Sequence, residues 1–95
     1  MKAVFISDLA QQDIEDIHAY IARDNEVAAD RIARRNFEAT DQLEHFPEMD
    51  RVGKASGTRE LVVAGTPYVV VYRVRSDDIE IARVIHHARD WPRAR

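Results

Sequence analysis

"TRELVVAGTPYVVVYRVRSDDIEIARVIHH", residues 58–87, is the stretch that decides the fold. It is dense in Val, Ile and Tyr, whose branched or flat side chains suit a pleated surface. Gly65 and the "SDD" of residues 76–78 break it into "TRELVVAG" (58–65), "PYVVVYRVR" (67–75) and "DIEIARVIHH" (78–87), three strand-like segments. Connections this short favour an antiparallel meander, because a parallel pair needs a crossover of about a dozen residues or more. Alternation puts Tyr68, Val70, Tyr72 and Val74 on one face, a core pattern, and Arg73 and Arg75 on the other.

Upstream, the period changes from two to 3.6. "KAVFI" (2–6) reads as a short apolar strand. Ser7 or Asp8 then caps a helix, with Gln11 placed three residues after Asp8 as in a capping box. Ala10, Ile14, Ile17 and Ile21 form one apolar stripe along it, backed by Leu9 and Tyr20. "RDNE" (23–26) ends this helix and Asn25 caps a second one. The second carries Ala29, Ile32, Phe37, Thr40, Leu43 and Phe46 toward the core, and Pro47 stops it. Two helices on so short a link make an antiparallel hairpin. "PEMDRVGKASG" (47–57) is a loop. The expected fold is α+β in the order β-α-α-β-β-β: the N-terminal strand joins the edge of the meander and the helical hairpin covers one face. The other face, or part of it, is left as a concave surface without a cover. No repeat or linker divides residues 1–95, which read as one domain.

At 95 residues and 45% hydrophobic composition the chain can bury one core of modest stability, to which a bound partner would add. The absence of cysteine excludes disulfides and thiolate metal sites. The first residues reach acids too soon for a signal peptide or membrane span, so a cytoplasmic protein without membrane contact is expected. The net charge of −3 is unevenly spread. Residues 1–50 hold five Lys/Arg against twelve Asp/Glu, a balance of −7; residues 51–95 hold nine against five, a balance of +4. Such polarity marks either solvated faces or a basic half that meets an acidic partner.

The residues able to carry chemistry are few. His86 and His87 are adjacent, so on a strand they point to opposite faces and do not share a metal ion; His18 and His45 fall on different helices. No metal and no cofactor are expected, since there is no Gly-rich phosphate loop, no G-x-S-x-G elbow and no paired-carboxylate motif in an apolar setting. For His86 and His87 the plain alternative to catalysis is a hydrogen-bonded structural role. Trp91, before Pro92, is an anchor for the tail. The strand arginines Arg59, Arg73, Arg75 and Arg83 either line a groove for phosphate or carboxylate or form a solvated edge that deters aggregation.

"IHAYIARDNEVAADRI" (17–32), "LEHFPEMDRVG" (43–53), "TRELVV" (58–63), "YVVVYRV" (68–74) and "IEIARVIHHARDWP" (79–92) together resemble toxins of the RelE/ParE superfamily, most closely the ParE branch. The resemblance runs from about residue 5 to residue 92, and "FPEMDRVG" and "ARVIHHARDWP" are its most specific parts. It implies the toxin of a bacterial type II toxin–antitoxin system, neutralised by a co-encoded ParD-like or RelB-like antitoxin in a hetero-oligomeric complex. ParE-like members poison DNA gyrase and catalyse nothing. RelE-like members cut messenger RNA on the ribosome without a metal, using a base and cations on the phosphate. Where such nucleases place an arginine just after a tyrosine of the central strand, this chain has Val69. They also tend to carry a tyrosine or histidine near the C-terminus; the three tyrosines here are at 20, 68 and 72, leaving His86, His87 and Arg83 as the nuclease candidates. A pI near 5.8 is also a poor basis for attraction to RNA. Gyrase is therefore the expected target, with no sequence-specific nucleic-acid binding by the toxin alone. Arg59, Arg73, Arg83 and Arg89 are expected to form a polar rim for acidic groups, and His87 and Trp91 complete the candidate surface for antitoxin or target.

Overall fold

The computed structural model describes residues 3–45, 51–52 and 57–87. Strand β1 (Ala3–Ile6) leads into helices α1 (Asp8–Ala22) and α2 (Glu26–His45). Then follow β2 (Arg51–Val52), β3 (Arg59–Val62), β4 (Tyr68–Val74) and β5 (Asp78–His86). The five strands make one sheet in the order β1-β5-β4-β3-β2. The expected meander is β3-β4-β5, all antiparallel, and β1 joins its edge by parallel pairing with β5, Ala3 opposite Asp78 and Ile6 opposite Ile81. The two-residue β2 falls inside the segment expected to be loop, and extends the other edge against β3.

Ser7 does two jobs where β1 turns into α1. Its Oγ accepts the Ala10 N–H at 3.1 Å as the helix cap, and donates to the Ala82 carbonyl at 3.0 Å. The cap is thus Ser7, and no capping box forms with Asp8, because the Gln11 amide donates to Glu15 instead. Asn25 caps α2 as expected, its Oδ1 accepting from Ala28 N–H. The His18–Asp30 pair, 3.0 Å apart, ties the two helices together.

Both helices bury one stripe against the same face of the sheet. Ala10 and Ile14 of α1 are buried, with Ile17 and Ile21 half-buried beside them. On α2 the stripe runs Ala29, Ile32, Asn36, Ala39, Thr40 and Leu43. Phe37, expected in the core, is 52% exposed, and Asn36 occupies the inward position. At 100° per residue Phe37 lies roughly 140° round the helix from Ile32, whereas Asn36 lies only about 40° away. Leu9 and Tyr20 also stand out in solvent rather than behind the α1 stripe. Phe46 and Pro47 lie outside the described residues. Asn36 is 1% exposed, and neither polar atom of its amide has a hydrogen-bond partner among the described residues.

The sheet supplies Leu61, Val63, Tyr68, Val70, Tyr72, Ile79, Ile81 and Val84 to the same core. Between Val71 and Tyr72 the β4–β5 register shifts: Val71 pairs with Arg83 but Tyr72 with Ile81, so Ala82 is an extra residue, a β-bulge. Ile79 and Ile81 therefore face inward before the bulge, Val84 after it. The opposite face is not the open concave surface expected from the sequence. Val69 and Val71, which alternate with core residues, are themselves buried, as is Glu60, which pairs with Val71. Among the described residues, only margins of that face, at Phe5 and Val62, expose large apolar side chains.

Candidate functional site

β1 stops at Ile6 opposite Ile81, so among the described residues β5 from Ala82 onward has no strand beside it on that side. Helix α1 runs past this gap, and Asp13 reaches into it. Its Oδ2 accepts the backbone N–H of Val84 at 2.9 Å and Nε of Arg83 at 2.7 Å, while Oδ1 accepts Nη2 of Arg83 at 2.9 Å. One carboxylate thus satisfies an edge-strand N–H, as a neighbouring strand would, and holds a guanidinium in a two-pronged grip. The Arg83 pKa is raised above its ordinary value, first by the hydrogen bond to Asp13; burial opposes this and the charge of Asp13 adds to it. Arg83 is a cation at every physiological pH.

Beyond this clamp, a groove of about 630 Å³ opens between α1 and the end of β5. Asp13, Asp16, Ile17 and Tyr20 form the helical wall; Pro67, Tyr68, Arg83, Val84, Ile85 and His86 form the strand wall. His86 meets the buried Tyr68 edge-on, ring centres 5.7 Å apart. His87 stacks on His86 at 5.0 Å and 24°. The two rings therefore do not point to opposite faces as strand alternation predicted. β5 ends at His86 and His87 belongs to the turn after it, where alternation no longer applies. Tyr20, on the groove's rim, has the Arg23 guanidinium 5.3 Å from its ring centre.

Of the four arginines expected to share a rim, the described residues Arg59 and Arg73 stand apart. Arg59 pairs with Tyr72 and Arg73 with Glu80, which places them on opposite faces of the sheet. The Arg73 guanidinium is 3.3 Å from Glu80, which also receives Arg75 at 3.1 Å. Arg83 is held by Asp13. Arg89 and Trp91 lie outside the described residues. Local pattern does not single out the groove's two carboxylates, Asp13 and Asp16, because seventy residues separate Asp13 from Arg83. The one local signal was position: Leu9, Asp13, Asp16 and Tyr20 follow at four, three and four, a stripe beside the apolar one.

Residues 4–91 match the family model described as the ParE toxin of the type II toxin–antitoxin system parDE. The chain belongs to the ParE toxin family. Among relatives of this toxin, Y4kP of Sinorhizobium fredii is 42% identical over 79 residues, 83% of this chain and 81% of that protein. Toxin RelE2 of Caulobacter vibrioides is 40% identical over 80 residues, 84% of this chain and 89% of that one. A solved structure of the chromosomal ParDE system of P. aeruginosa superposes with a TM-score of 0.80 at 20% identity, covering 90% of this chain and 96% of the other, a likeness of fold. Among the described residues of this ParE-family toxin no three metal-binding side chains cluster, and no helix is long and apolar enough to cross a membrane.

Proposed function

We propose that this toxin is held by a co-encoded antitoxin and, when released, blocks growth by poisoning DNA gyrase. The observation that carries the choice of target is the Asp13–Arg83 clamp. A nuclease reading needs His86 or His87 as base and a cation to receive the strained phosphate. Arg83 is the arginine in the groove beside His86, and Asp13 grips it with Asp16 on the same wall. A guanidinium already gripped by one carboxylate, with a second on the same groove wall, disfavours a scissile phosphate. Val69, where the nuclease branch has an arginine, is 3% exposed and alternates away from the groove-lining Tyr68. RNA cleavage is the second reading, favoured by the His86–His87 stack at the groove's mouth. Arg59, Arg73, His87, Arg89 and Trp91 remain the proposed contacts to antitoxin or target.

Purified toxin, gyrase from its own host, ATP and supercoiled plasmid test this directly. Linear plasmid after protein denaturation, suppressed by prior addition of the antitoxin, is the expected result. A folded, growth-inhibiting toxin that yields no linear plasmid, but cuts messenger RNA on ribosomes, would sink the gyrase reading.

A further inference from the structure

We infer that the groove between α1 and β5 receives a segment of the antitoxin bearing a Lys or Arg between apolar side chains, and that Asp16 is the carboxylate that meets its charge. The inference rests on the toxin–antitoxin reading above and adds the chemistry of the partner's contact. It runs against the simplest expectation from the sequence, in which the basic half of the chain attracts an acidic partner.

Three independent features of the groove point the same way. The first is its shape. About 630 Å³ is room for several side chains, since pockets for drug-sized ligands span about 300–1,000 Å³. The second is what is left exposed around it. Tyr20 is 68% exposed on the rim, and Leu9, three turns earlier on the same stripe of α1, is 63% exposed. Large apolar groups aligned beside a strand end that has no strand neighbour among the described residues are what a peptide partner buries.

The third feature is charge, and it decides the occupant. Helix α1 carries Asp8, Asp13, Glu15 and Asp16 and has no Lys or Arg between residues 8 and 22. The cation in the groove's lining, Arg83, already receives both oxygens of Asp13. Asp16 lies next along the wall, exposed, and accepts from the Gln12 amide at 2.8 Å, a neutral partner; among the described residues it makes no ion pair. An apolar segment covering this groove desolvates Asp16, which is costly unless a cation comes with it. An acidic segment would add repulsion to that cost. A Lys or Arg resolves both: its aliphatic stem lies along Ile17 and Tyr20 while its head reaches Asp16. Arg23 over the Tyr20 ring shows that this aromatic already accepts a guanidinium.

The test is binding of the full-length toxin to its co-encoded antitoxin, measured by titration calorimetry with Asp16→Asn and Asp16→Lys. Asp41→Lys, the same change of charge on an exposed residue of α2 outside the groove's lining, serves as the control. Neither Asp16 variant should alter the circular dichroism spectrum, since Asp16 makes only a surface contact. Affinity should fall about tenfold for Asp16→Asn and roughly a hundredfold for Asp16→Lys, with little change for Asp41→Lys. A wild-type complex that Asp16→Lys leaves within about twofold, or tightens, overturns the inference and leaves the toxin–antitoxin reading intact. An equal loss from Asp41→Lys also overturns it, because the long-range field would then be responsible. Failure of the wild-type toxin to bind at all removes the reading and the inference together.

Discussion

Replacing Asp13 with alanine is the most informative single change in this molecule. The carboxylate makes three short contacts, 2.7 and 2.9 Å to the Arg83 guanidinium and 2.9 Å to the Val84 N–H. The two side chains are well covered, at 14% and 27% exposure. Hydrogen bonds to charged groups contribute about 1.5–3 kcal/mol each, but three sharing one carboxylate do not add. Breaking a fully buried pair costs roughly 3–5 kcal/mol, and this pair is partly wet, so about 3 kcal/mol is expected. For a domain of this size that lowers Tm by roughly 12–24 °C. Asp13→Asn keeps an acceptor for Val84 and should cost about half as much. Urea unfolding followed by circular dichroism, with Arg83→Met and the double variant, gives the coupling. Arg83→Met should be costly in the wild type and nearly free once Asp13 is alanine. The clamp is refuted if Asp13→Ala costs less than about 1 kcal/mol, or if Arg83→Met costs the same in both backgrounds.

Two further outcomes follow from the same structure. Asn36→Leu removes an amide that is fully buried without partners among the described residues, so it should stabilise by about 1 kcal/mol or more, seen as a Tm higher by roughly 4–8 °C; a lower Tm would mean that the amide is satisfied in solution. His87→Ala removes an exposed ring stacked on His86 and should leave growth inhibition on induction unchanged; a folded variant that no longer inhibits growth would return RNA cleavage to first place.

What the sequence disclosed, and what it hid, divides along physical lines. The meander was legible because alternation and turn residues are local, and α1 because its four apolar positions obey one period. α2 was misjudged by one residue: hydrophobicity chose Phe37, while the phase set by Ile32 and Leu43 selects Asn36. Polarity outvoted geometry. The bulge did leave a trace, since inward residues jump from Ile81 to Val84, an odd step for a strand. β2 is too short for any periodicity to mark. The Asp13–Arg83 clamp could not be read at all, because pairing across seventy residues depends on how α1 lies over the sheet end, which no local pattern records. The same limit applies to the arginines: one-dimensional spacing says which residues share a strand face, not which carboxylate waits opposite.

The parallel pairing of β1 with β5 has a consequence for how the chain comes into being. The first strand finds its neighbour only in the last, and the contacts that close the molecule, Ser7 to Ala82 and Asp13 to Arg83 and Val84, span 75, 70 and 71 residues. Such long-range closure slows folding, because loop entropy is lost before the contacts form. During synthesis the helical hairpin emerges early with its apolar stripe exposed and no completed sheet to cover it. A chain that ends before Ile79 lacks β5, and with it the partner of β1 and the residues that Ser7 and Asp13 bind. The topology makes the fold itself an all-or-none property, closed only when β5 reaches β1.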